Sequence, residues 1–306
     1  MTPSRRAWFR RLATILLAGS VRQCTTAADD PLAATARRMA TAGAGWSGDT
    51  DASGLVMSPN PPPPKGCRVF QDCASVLASV KGKTTNAKTR DRLRLEEIWR
   101  LVSGLYDQQV EGDIVEAGGV GKGVLSMTMV ASHQARKRLY HTRLYRAAPD
   151  STRALDRHFW LFDAFGDPRA RLDDVRTNLA RTCYAPDKIH YVNYVKGNVE
   201  ETLVNETNLP RRSIALLHLG TGLHPVAKAQ LGNLTERMAP GAVLVFGGDC
   251  SSEGQRREIG EWMNLPANSG RFQWPASRGG WASRRQETGR PGACVLVRRE
   301  DGAHHG

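Results

Sequence analysis

Two histidines stand near the end of an apolar segment, and histidine is the side chain that most often exchanges protons near neutral pH. The segment runs from Ser213 to His224 as SIALLHLGTGLH, with His218 directly after the aliphatic run. A run of this kind predicts a central strand of a parallel sheet, and ligands bind at the carboxyl ends of such strands. His218 and His224 are therefore candidate general bases, with a buried structural histidine as the alternative role for each.

Two acidic residues end other predicted strands. Glu116 follows Asp113-Ile-Val, and Asp163 follows His158-Phe-Trp-Leu-Phe. Acids at the ends of the first two strands, with a glycine-rich turn after the first, are typical of enzymes that bind S-adenosylmethionine, where the second acid binds the ribose hydroxyls. Solvated loop acids beside a structural turn are the alternative interpretation.

The turn between the first strand and the next helix reads Glu116-Ala-Gly-Gly-Val-Gly-Lys-Gly123. Glycine lets the backbone approach a ligand, and the helix that follows offers unpaired N–H groups. The dinucleotide pattern G-x-G-x-x-G is only half matched, because valine stands at position 124. A P-loop needs Ser or Thr after its lysine, whereas Gly123 follows Lys122. S-adenosylmethionine is the third possible ligand, after a dinucleotide and the nucleotide of a P-loop. The candidate residues for binding it are Glu116, Gly118, Gly119, Gly121, Gly123 and Asp163.

Strand-like and helix-like segments alternate after an amphipathic helix predicted over 93–105. This alternation predicts a doubly wound α/β sheet with ligands at the carboxyl ends of its strands. The predicted strands are 113–116, 158–163, 188–195, 214–218, 242–246 and 293–297, and the predicted helices are 124–138, 173–181, 225–238 and 253–263.

Five phrases, in order between about residues 88 and 265, resemble the macrocin O-methyltransferase (TylF-type) family, which methylates sugar hydroxyls of macrolides and related substrates. The resemblance implies a Rossmann-like sheet of the class I methyltransferase type, S-adenosylmethionine as cofactor and a small-molecule or glycoside acceptor. The phrases are Gly112-Asp-Ile-Val-Glu-Ala-Gly118, Leu161-Phe-Asp-Ala-Phe165, Lys196-Gly-Asn-Val-Glu-Glu-Thr-Leu203, Ile214-Ala-Leu-Leu-His-Leu219 and Met238-Ala-Pro-Gly-Ala-Val-Leu-Val245.

The chain departs from this family where the resemblance implies a magnesium site. The family reads His-Leu-Asp-x-Asp after the fourth strand and Asp-Asp after the fifth. Magnesium needs oxygen ligands, so a bound magnesium ion is not expected here. Two hypotheses follow: a methyltransferase that uses His218 or His224 without a metal, or a catalytically inactive binding protein of the same fold. The four replaced carboxylates are Gly220, Gly222, Gly247 and Gly248.

The charge pattern argues against a nucleic-acid partner. The formal net charge is +13, but the basic residues are spread along the chain as pairs, without a long basic run or interleaved aromatics. The composition indicates no oligomeric state.

The first 28 residues are typical of a targeting segment. Arginines precede an apolar stretch over 12–21, and small residues follow, as in a secretory signal peptide. An organellar transit peptide and a twin-arginine signal, with Ser4-Arg5-Arg6, are the alternatives. The apolar stretch is too short for a stable membrane span. A disordered spacer rich in Pro, Ala and Gly is predicted over 29–87, a domain over 88–300 and a tail over 301–306.

Cysteines and sequons add two further expectations. Only Cys67 and Cys73 are close in sequence, so they are the candidate disulfide pair, with buried or idle thiols favoured. Asn205 and Asn233 begin glycosylation sequons that matter only in the secretory route.

Overall fold

The structure is a computed structural model. It describes residues 70, 72, 75–76, 78–79, 89–144, 157–166, 171–182, 191–203, 205–220, 225–247, 250, 252–275 and 293–299. All of them belong to the compact unit Pro62–Gly306. The predicted targeting segment, the tail, His224 and the Cys67–Cys73 pair lie outside the described residues.

Strands and helices alternate through the described part of the chain, and the strands form one sheet of order β3-β2-β1-β4-β5-β7-β6. Strands β1 to β5 are parallel to one another, and β7 is antiparallel to its two neighbours, β5 and β6. The predicted doubly wound α/β sheet is confirmed. The elements are α1 (Thr89–Asp107), β1 (Asp113–Ala117), α2 (Val124–Leu144), β2 (Phe159–Asp163), α3 (Leu172–Ala180), β3 (Val192–Lys196), α4 (Val199–Thr202), β4 (Ile214–Leu219), α5 (Pro225–Glu236), β5 (Met238–Phe246), α6 (Glu253–Met263), β6 (Phe272–Gln273) and β7 (Cys294–Arg298).

The centre of the sheet is buried on both faces, which explains why its strands read as continuous apolar runs rather than alternating ones. All six residues of β4 and all five of β1 are buried. Within these two mostly apolar strands, Glu116 of β1 pairs in register with His218 of β4. Paired residues of adjacent strands project to the same face, so these two polar side chains share one buried layer.

The core extends further towards the amino terminus than predicted. Phe70 and Val76 fall in the predicted spacer, yet they are buried in the main hydrophobic cluster. Arg181 also donates a hydrogen bond to the carbonyl of Ser79. These side chains precede residue 88, where the domain is predicted to begin, and the domain bounds stay a prediction.

The start of β5 differs from the prediction. A proline and a glycine at 240 and 241 predicted the end of a helix, whereas α5 already ends at Glu236 and β5 begins at Met238. Met238 pairs with Ile214 and Val243 pairs with Leu216, so the extra residues form an irregularity in the ladder. Proline is tolerated in a strand where a bulge releases its position from the ladder.

The carboxyl-terminal strands hold two features that the sequence did not predict. The short strand β6 pairs with β7. A disulfide joins Cys250, in the loop after β5, to Cys294 at the start of β7. These cysteines are 44 residues apart in sequence, and they meet because Phe246 and Cys294 are partners in the antiparallel ladder.

Among the described residues, no helix is both long and apolar enough to cross a membrane.

Candidate cofactor site at the carboxyl edge of the sheet

The candidate site lies where the strand order reverses. The chain proceeds from β1 to β2 and β3 on one side and to β4 and β5 on the other. The carboxyl ends of β1 and β4 therefore flank a topological switch point, which is the usual binding crevice of a doubly wound sheet. Three groups of the described residues flank it: the glycine turn after β1, Asp163 at the end of β2, and Gly220 directly after β4.

The glycine turn uses backbone conformations that other residues rarely adopt. Gly118, Gly119, Gly121 and Gly123 all have positive φ, between 55° and 72°. At Gly123 the packing also requires glycine, because a Cβ there would lie 2.8 Å from a methyl group of Val175 on α3. The turn is thus held close to α3 while its backbone N–H groups lie above the strand ends.

Asp163 is tied directly to this turn. Its Oδ2 accepts a hydrogen bond from the Val120 N–H at 2.9 Å, and its Oδ1 accepts one from the Phe165 N–H at 3.0 Å. An ionised carboxylate offers about four acceptor positions, so about two remain for another donor. The side chain is half-buried, which keeps those positions within reach of a ligand. The structure therefore brings the predicted ribose-binding acid and the predicted glycine turn together.

Phe165 adds an unusual backbone feature beside Asp163. Its φ is 49°, in the left-handed region that costs a non-glycine residue about 1 kcal/mol or more. The conformation is held by the hydrogen bond to Asp163 and by burial of its ring, which meets Tyr194 edge-on at 6.5 Å. Strained backbone of this kind concentrates at ligand sites.

Glu116 lies beneath the turn rather than on the surface of the crevice. It is fully buried, and its Oε2 accepts a hydrogen bond of 2.5 Å from the Ser126 hydroxyl on α2. Burial raises the pKa of Glu116 to about 7, against the lowering effect of the Ser126 donor. In this arrangement Glu116 contacts the sheet layer and α2, and its role as a cofactor ligand stays a prediction.

His218 is also fully buried, and its side chain lies between Arg94 and Glu116. Arg94 Nη2 lies 2.9 Å from Nε2 of His218. A guanidinium only donates, so Nε2 is the acceptor and the ring proton is on Nδ1, which lies 3.6 Å from Glu116 Oε1. Burial and then the charge of Arg94 lower the pKa of His218 to about 3. With its basic nitrogen occupied and shielded from solvent, His218 is not available as a general base here.

Arg94 is the functional candidate that the sequence did not reveal. It lies in the second turn of α1, next to the apolar stripe of that helix, where an arginine ordinarily indicates only a solvent boundary. Its partner His218 is 124 residues away in sequence. Since spacing within the helix carries no information about that contact, only the packing of α1 on the sheet discloses it.

Backbone atoms fill the space beside Gly220 and Gly247, two of the four positions where the resemblance implies carboxylates. A Cβ at Gly220 would lie 2.0 Å from the carbonyl oxygen of Gly118, and one at Gly247 would lie 2.6 Å from that of Gly220. The Gly220 N–H also donates to the carbonyl of Ala117 at 3.0 Å. Any side chain at these two positions requires the glycine turn or the end of β4 to move. Gly222 and Gly248, the other two replaced positions, lie outside the described residues.

Gly220 and Gly247 stand at two positions where the resemblance implies ligands of magnesium, and the absence of a bound magnesium ion stays a prediction. The ligands of magnesium are oxygen atoms in a near-octahedral array. Neither Gly220 nor Gly247 has a side chain, and the described residues contain no group of three His, Cys, Asp or Glu that could hold a metal.

Comparisons with known proteins identify only structural neighbours. No protein-family model and no curated protein sequence matches the chain. The O-methyltransferase NovP is 16% identical over 67% of this chain and 79% of its own, with a TM-score of 0.45. An O-methyltransferase from Bacillus cereus, solved with SAH, is 12% identical over 74% of this chain and 90% of its own, with a TM-score of 0.43. CalS11, a TDP-rhamnose 3′-O-methyltransferase of calicheamicin biosynthesis, is 18% identical over 73% of this chain and 93% of its own, with a TM-score of 0.43.

These likenesses concern the fold. At such identities, the activity of a neighbour does not transfer to this chain, because one fold supports many functions. The function of this chain depends on the residues at its own carboxyl edge.

Proposed function

We propose that the chain binds S-adenosylmethionine at the carboxyl edge of the sheet and transfers its methyl group to a hydroxyl of a small molecule, without magnesium. The observation that carries the proposal is the Asp163 carboxylate, which is hydrogen-bonded to the glycine turn and retains acceptor capacity. Ribose hydroxyls are donors that such a carboxylate can accept, and the glycine turn leaves room for the backbone to approach a nucleoside. The macrocin-type phrases of the sequence support the same ligand and a sugar-like acceptor.

When bound, S-adenosylmethionine supplies an electrophilic methyl group. The chain's residues then have to orient the acceptor and take the proton of its hydroxyl, which is weakly acidic and needs a positioned base. His218 does not meet this need, because its Nε2 accepts from Arg94 and it is fully buried. His224 stays the predicted base, four residues after Gly220.

A second candidate function is supported by a specific observation. Gly220 and Gly247 are packed backbone against backbone where the resemblance implies metal-binding carboxylates, and the buried histidine is committed to Arg94. This arrangement of Gly220, Gly247 and His218 favours a protein that binds S-adenosylmethionine or a related nucleoside without catalysing methyl transfer.

Cofactor binding is tested by calorimetry with S-adenosylhomocysteine. We expect binding to the wild-type chain, and we expect Asp163→Asn to weaken it by about tenfold or more, since hydrogen bonds to a charged group contribute about 1.5–3 kcal/mol. Asp173→Asn is the matched control, because Asp173 is an exposed acid on α3. Equal affinities of wild type and Asp163→Asn would contradict the proposed ribose site.

Transfer is tested separately, by mass spectrometry of candidate glycosides incubated with the protein and S-adenosylmethionine, with magnesium or with a chelator. Methylation at equal rates in both conditions is the expected result. Turnover that requires magnesium contradicts the metal-free site, and binding of S-adenosylhomocysteine without any turnover favours the second candidate.

We also propose that the chain matures in the secretory route. The Cys250–Cys294 disulfide supports this, because disulfides persist mainly in oxidising compartments. Peptide mapping of the protein purified from its native cells, without reduction, should recover the linked pair. Free thiols at both positions would contradict the proposal.

A further inference from the structure

We propose that Arg94 and Glu97, on the first turns of α1, bind the zwitterionic amino-acid end of the ligand whose ribose lies at Asp163. Arg94 takes the α-carboxylate and Glu97 takes the α-ammonium group. The inference rests on the proposed cofactor and assigns two residues that neither the glycine turn nor the sequence phrases include.

Both side chains lie near the carboxyl edge. Arg94 contacts His218, the second-last residue of β4. Glu97 Oε2 accepts a hydrogen bond of 3.0 Å from the N–H of Ala293, which immediately precedes β7. Because β7 runs opposite to β5, its start is at the carboxyl edge, beside Phe246 at the end of β5. The amino-terminal part of α1 therefore lies along the edge where ligands bind.

Arg94 is a cation whose only hydrogen-bond partner among the described residues is neutral. It is half-buried and donates to an imidazole that is uncharged at physiological pH. No carboxylate of the described residues forms an ion pair with it within 4.0 Å. A partly desolvated guanidinium with one of five donors engaged is suited to bidentate binding of a carboxylate.

Glu97 supplies the complementary observation. The side chain is 6% exposed, and its Oε1 is buried without a hydrogen-bond partner among the described residues. A buried carboxylate oxygen without a donor is costly, and a ligand ammonium group would provide the missing donors. Residues three apart on a helix are neighbours on one face, so Arg94 and Glu97 present opposite charges side by side. An α-amino acid carries the two matching charges on adjacent groups.

The spacing of the strands agrees with a single ligand that reaches both sites. Asp163 ends β2 and Arg94 lies at β4, with β1 and its glycine turn between them. Adjacent strands are about 4.8 Å apart, so the two sites are separated by about 10 Å across the sheet. A nucleoside that carries an amino-acid arm on its 5′ carbon spans a distance of this order. The chemical class of the ligand is therefore an amino-acid-bearing nucleoside rather than a nucleotide, whose phosphates would meet Glu97 unfavourably.

The buried side chains next to Arg94, those of His218, Glu116 and Ser126, have a positioning role. His218 accepts from Nη2 of Arg94, and its Nδ1 faces Glu116, which is fixed by Ser126. The guanidinium is thereby held at one nitrogen while its other donors stay available. This assigns a structural purpose to polar side chains in the middle of an apolar sheet.

The experiment is calorimetry with three ligands: S-adenosylhomocysteine, its decarboxylated analogue, and 5′-methylthioadenosine, which lacks the amino-acid group. Arg94→Met should weaken S-adenosylhomocysteine binding by about 10- to 100-fold, because one charged hydrogen-bonded pair is lost. The same variant should leave the affinities for the decarboxylated analogue and for 5′-methylthioadenosine unchanged. Glu97→Gln should weaken binding of the two ligands that carry the ammonium group and spare 5′-methylthioadenosine. Arg100→Met, on the same helix, is the control and should bind all three ligands as the wild type does.

The outcomes separate this inference from the proposed function. If Arg94→Met weakens all three ligands equally, Arg94 supports the fold and the inference is wrong. If the variants bind S-adenosylhomocysteine as the wild type does, the inference is wrong while the cofactor proposal stands. If the wild type binds 5′-methylthioadenosine but gains nothing from the amino-acid group, the inference again fails. If the wild type binds none of the ligands, both fail. Thermal unfolding of each variant confirms that it is folded.

Discussion

The two sides of the carboxyl edge differ in what stands at the strand ends. At β2, the Asp163 carboxylate is half-buried, is held by two backbone N–H groups and retains free acceptor positions. At β4 and β5, Gly220 and Gly247 carry no side chain, and backbone atoms fill the space where a Cβ would lie. Among the described residues, the first side therefore presents a carboxylate, whereas the second side has Arg94 of α1 nearby, a charged side chain that contacts His218 on β4. A shared fold therefore does not imply a shared site.

The strongest test of this contrast is Gly220→Ala. A methyl group there would lie 2.0 Å from the carbonyl oxygen of Gly118, so we expect a loss of about 3 kcal/mol or more in the free energy of unfolding. Urea unfolding measures it. Gly232→Ala is the matched control, because nothing lies within 4 Å of a Cβ at that helical glycine. It should stabilise the protein by about 0.5–1 kcal/mol. A neutral Gly220→Ala would show that the corner is open.

The Cys250–Cys294 disulfide belongs to the closed side, since Cys250 is three residues beyond Gly247. Replacing both cysteines by serine should lower the free energy of unfolding by about 2–4 kcal/mol, because the bridge closes a loop of 44 residues in the unfolded chain. The affinity for S-adenosylhomocysteine should be unchanged if the cofactor lies on the Asp163 side. A large loss of affinity at unchanged folding would instead place the cofactor against β5 and β7.

The smallest expected effect is on the pH dependence of stability, and it comes from the buried residues Glu116 and His218 between the two sides. The folded pKa of Glu116, about 7, lies above its ordinary value of 4.5, so between these values the folded state holds a proton that the unfolded state has released. Glu116 therefore makes stability fall as pH rises from 4.5 to 7. The folded pKa of His218, about 3, lies below its ordinary 6.5, so His218 makes stability rise with pH between 3 and 6.5. Between pH 4.5 and 6.5, where both groups act, their contributions to the pH dependence of stability have opposite signs.

Glu116→Gln removes the contribution of Glu116 to the pH dependence of stability. The stability of the wild type minus that of the variant should fall as pH rises from 4.5 to 7, as measured by urea unfolding at a series of pH values. Glu111→Gln, at an exposed position before β1, is the matched control. A flat difference for Glu116→Gln would indicate that Glu116 is solvated in the folded protein.

Much of the fold follows from local pattern. The alternation of apolar runs and amphipathic segments correctly indicated the parallel strands and most of the helices, because burial on both faces leaves a continuous apolar signal. The errors occur where pairing between strands overrules local preference. The Pro-Gly pair before Val243 is an example, because it lies within an irregular strand.

The glycine turn and Asp163 could be predicted from the sequence, because residue types at strand ends constrain which ligands can bind there. The sequence also has glycine at positions 220 and 247. That glycine replaces metal-binding carboxylates there follows only from the resemblance and stays a prediction. Only the tertiary structure decided that backbone atoms fill the space beside Gly220 and Gly247, that His218 accepts a hydrogen bond from Arg94, and that Glu97 accepts one from Ala293. These contacts join residues far apart in the chain, and their geometry depends on how helices pack on the sheet, which no local pattern encodes.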